Sequence, residues 1–187
     1  MDKPERLKAI IYLGALSIDG FSVSDAVVYS QIVYRSISDG GADAFSKEGK
    51  LDLAGYADLE WMVPLSLMAQ VEFYEDIGLS RSQYFRSLAN LRYCGYLTDK
   101  AVYLDKDACS RFISLYPIRG LSGHALVVYS YVRHYTRRYK KLDKLHSNMA
   151  KELGMSEAGL SKCLGRLASW GLIRFERDGR RLYLVAR

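Results

Sequence analysis

Cysteine is scarce in this chain and poorly placed for structural chemistry. The 187 residues contain three, Cys94, Cys109 and Cys163, an odd number far apart in sequence. None has a cysteine or histidine neighbour at zinc-like spacing, so neither a disulfide framework nor a metal site is expected. His124, His134 and His146 have no recurring acidic or cysteine partner that would make a ligand pattern, and read as structural residues. Apolar runs are short as well. None approaches the roughly 18 to 20 uninterrupted residues of a membrane span, and Leu7 to Leu16 lacks both that length and a small-residue cleavage site. The expectation is an intracellular, cytoplasmic protein without a membrane partner. Also missing are a phosphate-cradling glycine loop, a metal-ligand pair and a nucleophile-elbow pattern. Glu72, Glu75 and Asp76 form an acidic group, but on a helix preceding a turn they read as a solvated face. No enzyme activity and no cofactor are expected.

Acidic residues are sparse in the second half of the chain. Up to Ser110 there are 11 Lys and Arg against 16 Asp and Glu, a net of −5; from Arg111 onward there are 16 against 5, a net of +11. The 49% apolar and 12% aromatic content is ample for a core without staples. A block as basic as the second half favours a polyanionic partner, because neutralising phosphates releases condensed counterions.

The chain also repeats itself. Val27-Val28-Tyr29-Ser30 is echoed by Val127-Val128-Tyr129-Ser130, an offset of 100. At an offset of 76, Gly78, Leu79, Ser80, Tyr84, Leu88, Leu91, Gly95 and Leu97 fall on Gly154, Met155, Ser156, Leu160, Leu164, Leu167, Gly171 and Ile173. Val102-Tyr103-Leu104 then corresponds to Leu182-Tyr183-Leu184. The difference of 24 between the offsets implies an insertion in the first copy, about residues 38–61, rich in Gly, Asp and Lys and read as a loop or hairpin. The expected organisation is an N-terminal helical extension over 1–19 (a helix over Pro4 to Leu16), a first domain over 20–107, a linker over 108–119 and a second domain over 120–187.

In the second copy, Leu126, Tyr129, Val132 and Tyr135 recur at helical spacing, predicting a helix over Gly123 to Tyr139. Leu145 to Leu153 reads as a short second helix ended by Gly154, and Ser156 as the N-cap of a third, with Leu160, Leu164 and Leu167 as its apolar stripe. The period then changes to two. Leu172 to Phe175 and Arg181 to Val185 flank Arg177-Asp178-Gly179-Arg180, a hairpin signal. The first copy repeats the plan with helices over Ser24 to Ser36, Leu65 to Ile77 and Ser80 to Tyr93, then strands over Gly95 to Thr98 and Ala101 to Leu104. The fold class expected is mainly α with small β-hairpin wings, α+β, in two tandem units of helix, helix, turn, helix and hairpin.

Leu153-Gly154-Met155-Ser156 through Leu160-Ser161-Lys162, Leu164, Leu167 and Gly171-Leu172-Ile173 resembles a bacterial winged helix-turn-helix. Phe112 to Pro117, followed by Leu121-Ser122-Gly123 and Ala125 to Tyr129, resembles the entry to winged-helix domains of plasmid and phage replication initiators. The resemblance implies two tandem winged-helix domains and binding of double-stranded DNA, in transcriptional regulation or replication.

Within such a fold the third helix enters the major groove. Its outward residues would be Glu157, Ala158, Ser161, Lys162, Gly165 and Arg166, after the capping Ser156. Lys and Arg can donate to guanine, and Ser and Ala can meet a polar edge or a thymine methyl. Arg177, Arg180 and Arg181 on the wing, with Arg137, Arg138, Lys140, Lys141 and Lys144, would add phosphate contacts. In the first copy Arg81, Ser82, Gln83, Phe85, Arg86 and Asn90 would project from the third helix. From Asp39 to Asp76, however, there are nine acids and two lysines. The alternative is therefore a scaffold in which the acidic N-terminal half binds a protein partner or a second copy of the chain.

Overall fold

Residues 9–13, Ala-Ile-Ile-Tyr-Leu, are apolar at every position. A helix with that composition would have no face for water. A strand buried on both sides uses such a run fully, provided another strand supplies its hydrogen bonds. The computed structural model, which describes residues 9–39, 62–64, 74, 77–98, 101–105, 107–118, 120–121, 123–178 and 181–186, has that partner. Strand β1 (Ile10–Tyr12) pairs antiparallel with β4 (Phe112–Ser114), with Ile11 opposite Ile113. Two further bonds extend the ladder, Leu13 N–H to the Arg111 carbonyl (2.9 Å) and Leu115 N–H to the Ala9 carbonyl (2.8 Å).

Two expectations are corrected here. Residues 10–12 of the expected helix over Pro4 to Leu16 form a strand, continued by a 3₁₀ turn over Gly14–Ser17, and residues 1–8 lie outside the described set. The expected linker over 108–119 contains β4, and its Ile113 and Leu115 are core residues. Both segments contribute core residues where a tail and a tether were expected.

Each strand leads toward a long apolar helix, α1 (Val23–Asp39) or α3 (Gly123–Tyr139). The repeated Ser30 and Ser130 are both buried and perform the same task. Ser30 Oγ accepts from Tyr12 N–H (2.9 Å) and Ser130 Oγ from Tyr116 N–H (2.9 Å), so each first helix holds the chain leading into it. On α3, His134 Nδ1 also accepts from Ser114 N–H (3.3 Å). On α1, Gln31 donates to the Ile10 carbonyl (2.6 Å). α1 and α3 touch one another, and one continuous apolar core runs from Ile11 and Tyr29 through Leu126 and Tyr131 to Leu160 and Leu167.

After α1 come β2 (Met62–Pro64), α2 (Arg81–Tyr93) and β3 (Ala101–Tyr103); after α3 come α4 (His146–Glu152), α5 (Glu157–Ser169), β5 (Ile173–Asp178) and β6 (Arg181–Ala186). The architecture is mixed α+β, with five α-helices and three two-stranded antiparallel sheets among the described residues. In the second half the expected elements form within a residue or two of their anticipated ends, except that β5 runs three residues beyond Phe175, so that Arg177 and Asp178, expected in the hairpin turn, pair with Leu182 and Arg181. In the first half the insertion from 40 to 61, most of the helix expected over Leu65 to Ile77, and the Asp99-Lys100 turn lie outside the described residues. The strand expected over Gly95 to Thr98 is reduced to a bridge between Leu97 and Val102. Each half also adds a strand contact that local periodicity does not announce. β2 pairs with β3, and Leu142 exchanges both backbone bonds with Leu184 of β6 (2.9 and 3.1 Å).

The turns before α2 and α5 use Gly78 and Gly154 at φ +71° and +60°. These are also close approaches. A Cβ on Gly154 would stand 2.5 Å from the Leu16 carbonyl oxygen, and one on Gly78 would stand 2.7 Å from a Leu126 methyl. Each turn is seated on residues from the other half.

Gly154→Ala combines left-handed strain with a backbone clash and is expected to cost at least about 2 kcal/mol in urea unfolding. Gly165→Ala, exposed in α5 with open space around the new methyl, is expected to gain about 0.5–1 kcal/mol from helix propensity. Equal effects of the two substitutions would contradict this packing.

Candidate nucleic-acid interface

Helix α5 begins at Ser156, whose Oγ accepts from Gly159 N–H (3.1 Å), satisfying one of the donors that a helix start leaves open. Leu160, Leu164 and Leu167 are buried against the core. That leaves Glu157, Ala158, Ser161, Lys162, Gly165 and Arg166 exposed, the outward set expected from spacing. Small side chains alternate with long cations on this face, so a partner surface can approach the helix backbone while Lys162 and Arg166 reach around it.

Arg166 is more constrained than its sequence suggests. Its guanidinium lies 4.7 Å from the centroid of the Trp170 ring, which is itself 46% exposed. Stacking of this kind contributes about 0.5–1 kcal/mol at an exposed site and limits the conformations the arginine must give up on binding. Trp170 did not emerge as a site residue from the sequence, although its spacing of four from Arg166 at a helix end is a signal that points to it.

The wing residue Arg177 is exposed. Arg180 and the side chain of Arg181 lie outside the described residues, although Arg181 is placed in β6 opposite Asp178. The basic run beyond α3 divides into different environments. Arg137, Arg138, Lys140 and Lys141 are all exposed. Arg137 donates to the Tyr116 hydroxyl (3.3 Å), and Arg138 lies over the Tyr139 ring (5.5 Å). Lys141 stands 3.8 Å from the Glu176 carboxylate and over Tyr183, which reduces the net field it offers an anion.

Lys144 belongs to another structure. Together with the Tyr131 hydroxyl it grips Glu152, and Arg111 lies 3.8 Å from the same carboxylate. Lys144, Glu152 and Arg111 line one wall of an open cleft of about 450 Å³ between Leu13–Ser17 and α4, with Tyr131 buried behind them. Burial alone would raise the Glu152 carboxyl, but the hydrogen bonds and charges of Lys144, Tyr131 and Arg111 outweigh it and hold the group below its ordinary value of 4.5. The cluster draws on positions 111, 131, 144 and 152, whose separations follow no single period.

Helix α2 is the first-half counterpart of α5. Ser80 and Gln83 form a reciprocal capping box, which occupies the Gln83 carbonyl oxygen. Arg81, Ser82, Phe85 and Arg86 are exposed as expected. Asn90 is not available in the way expected, because its amide donates to the Gly20 carbonyl (2.9 Å) and to Asp25 (2.9 Å). It fastens α2 to the start of α1; the equivalent position in α5 is Arg166. Among the thiols, all three are free, and burial pushes Cys109 up to about 12, far from a reactive thiolate. No helix among the described residues is long and apolar enough to cross a membrane.

Comparison of the chain with protein-family models, with curated proteins and with solved structures gives no match.

A carboxyl held below its ordinary value in the folded state contributes stability that is present above that value and lost as pH falls through the folded-state value. Wild-type unfolding free energy is therefore expected to drop as pH is lowered from about 5, and Glu152→Gln is expected to flatten part of that drop. An identical pH profile for the variant would remove Glu152 from the account.

Proposed function

We propose that this protein is a non-catalytic double-stranded-DNA-binding protein built from two tandem winged-helix units, acting as a transcriptional regulator or as a replication-initiator-like protein. The observation that carries the reading is the pairing of α5 with the β5–β6 hairpin. A capped helix buries its leucines and leaves small and cationic residues outward, and a hairpin bearing the exposed Arg177 follows it directly. The order of three helices and a hairpin, with a third strand contact at Leu142, supports the winged-helix reading, in which the third helix enters the major groove. The surrounding net charge of +11 from Arg111 onward suits a phosphate backbone. In this reading Lys162 and Arg166 contact base edges, while Arg177, Arg180, Arg181, Arg137, Arg138 and Lys140 contact phosphates, with Lys141 weakened by Glu176. Arg81 and Arg86 extend the interface to the first unit.

The second reading is a protein-interaction scaffold that uses the first half. It is favoured by Tyr93, 89% exposed at the end of α2, and the exposed Tyr103 of β3. Such a scaffold forms a stable complex with its partner and has no salt-dependent affinity for duplex DNA.

Fluorescence anisotropy of the full chain with a labelled random duplex distinguishes the two. Affinity is expected to fall steeply between about 50 and 200 mM salt, with a log–log slope near −0.9 per phosphate neutralised. Lys162→Ala with Arg166→Ala is expected to weaken binding at least tenfold at fixed salt without altering the circular dichroism spectrum. Unchanged affinity in the folded double variant, or absence of salt-dependent binding by the wild type, defeats the proposal.

A further inference from the structure

Phe85 is a large apolar side chain on the outer face of a helix whose inner face is already filled. Tyr84, Leu88 and Leu91 are buried, whereas Phe85 is 43% exposed among Arg81, Ser82 and Arg86. Its counterpart after the equivalent cap in α5 is Ser161, at the middle of the outward face. Among the described residues the ring meets the core only at the edge of Tyr84 and is left half-open, a position suited to a partner from outside.

We propose that Phe85 reads the C5-methyl group of thymine in the half-site bound by the first unit. The inference rests on the duplex-DNA reading and assigns the two units different chemistry. A phenyl ring has neither donor nor acceptor. Set against the major-groove edge of guanine, adenine or cytosine, it would strip water from nitrogen and oxygen atoms and leave them without partners. Thymine alone offers a methyl group in that groove.

The surroundings of the ring fit this role. The Arg81 guanidinium lies 5.6 Å from its centroid, and Tyr84 meets it edge to face at 5.6 Å between centroids. A ring held from two sides loses little freedom when a base arrives. α2 carries three arginines and no acid between Arg81 and Tyr93, a field that favours a phosphate-bearing partner over an ordinary mixed-charge protein surface. The two side chains of this helix suited to adenine are both engaged, Asn90 with Gly20 and Asp25 and the Gln83 carbonyl oxygen with Ser80 N–H. Phe85 therefore stands as the discriminating residue of the first two turns of α2, whose other exposed side chains are Arg81, Ser82 and Arg86. α5 has the reverse arrangement, with no aromatic residue within its exposed face and two cations able to bond to guanine.

The test uses the full chain. A preferred duplex is selected from a randomised pool, and its footprint is divided between the units by the positions that respond to Lys162→Ala and those that respond to Arg86→Ala. Each thymine is then replaced by deoxyuridine, which has the same hydrogen-bonding edge and lacks only the methyl. At one or two positions in the first unit's part of the site, the wild type is expected to lose about fourfold in affinity, the worth of one buried methyl group. Phe85→Ala is expected to bind the thymine and deoxyuridine duplexes equally, while Phe85→Leu and the Lys162→Ala, Arg166→Ala double variant still distinguish them. Salt-dependent binding with no response to deoxyuridine at any position overturns this inference and leaves the duplex-DNA reading standing; absence of duplex binding defeats both. Unchanged DNA affinity and thymine preference in Phe85→Ala, with loss of self-association in sedimentation, would assign the ring to a protein contact.

Discussion

The antiparallel pairing of β1 with β4 supports the arrangement of both halves. Buried backbone N–H and C=O groups must find partners, and the apolar runs around Ile11 and Ile113 find them in each other. The bonds flanking this pair, Leu13 to Arg111 and Leu115 to Ala9, are equivalent under exchange of the two strands. Each strand in turn is held by its own long helix through Ser30 or Ser130. A break at this seam exposes apolar side chains and unpaired backbone together, so the two halves are joined by core rather than tethered by a linker.

The same seam governs how the outer helices are held. The turn before α2 rests on Leu121 and Leu126 of the second half, and the turn before α5 rests on Leu16. At Gly154 the near atom is a backbone oxygen, which makes glycine a packing requirement as well as a conformational one; at Gly78 it is a Leu126 methyl. The polar crosslinks follow this logic. Asn90 ties α2 to the start of α1, and Glu152 ties α4 to α3 and to Arg111. Side chains spent on these bonds are withdrawn from the outer surface, which leaves small residues and cations on α5 and a phenyl ring among cations on α2.

Local signals in the sequence reached a good part of this structure. The leucine spacing from Leu160 to Leu167 and the Ser156 cap specify α5 and its outward face, because a helix repeats every 3.6 residues whatever surrounds it. The change to a period of two after Gly171 marks β5 and β6 for a similar reason. The repeat identified α1 as the counterpart of α3 and α2 as the counterpart of α5. The same reasoning could not distinguish Asn90 from Arg86, because a position on the outer side of a helical wheel carries no information about a carbonyl 70 residues away.

By itself, then, the sequence determined α1 to α5, the C-terminal hairpin and the gathering of positive charge in the second half. Each of these is written in residues within a turn or two of one another, or in simple composition. Tertiary structure alone decided that Ile10–Tyr12 is a strand, that the presumed linker is core, that Lys144 serves Glu152, and that Arg166 lies on Trp170 in a helix whose turn is pressed against Leu16. An apolar run is equally satisfied by several partners, and a charged side chain by water or by a neighbour. Which of them it meets depends on chain segments brought together only when the core closes.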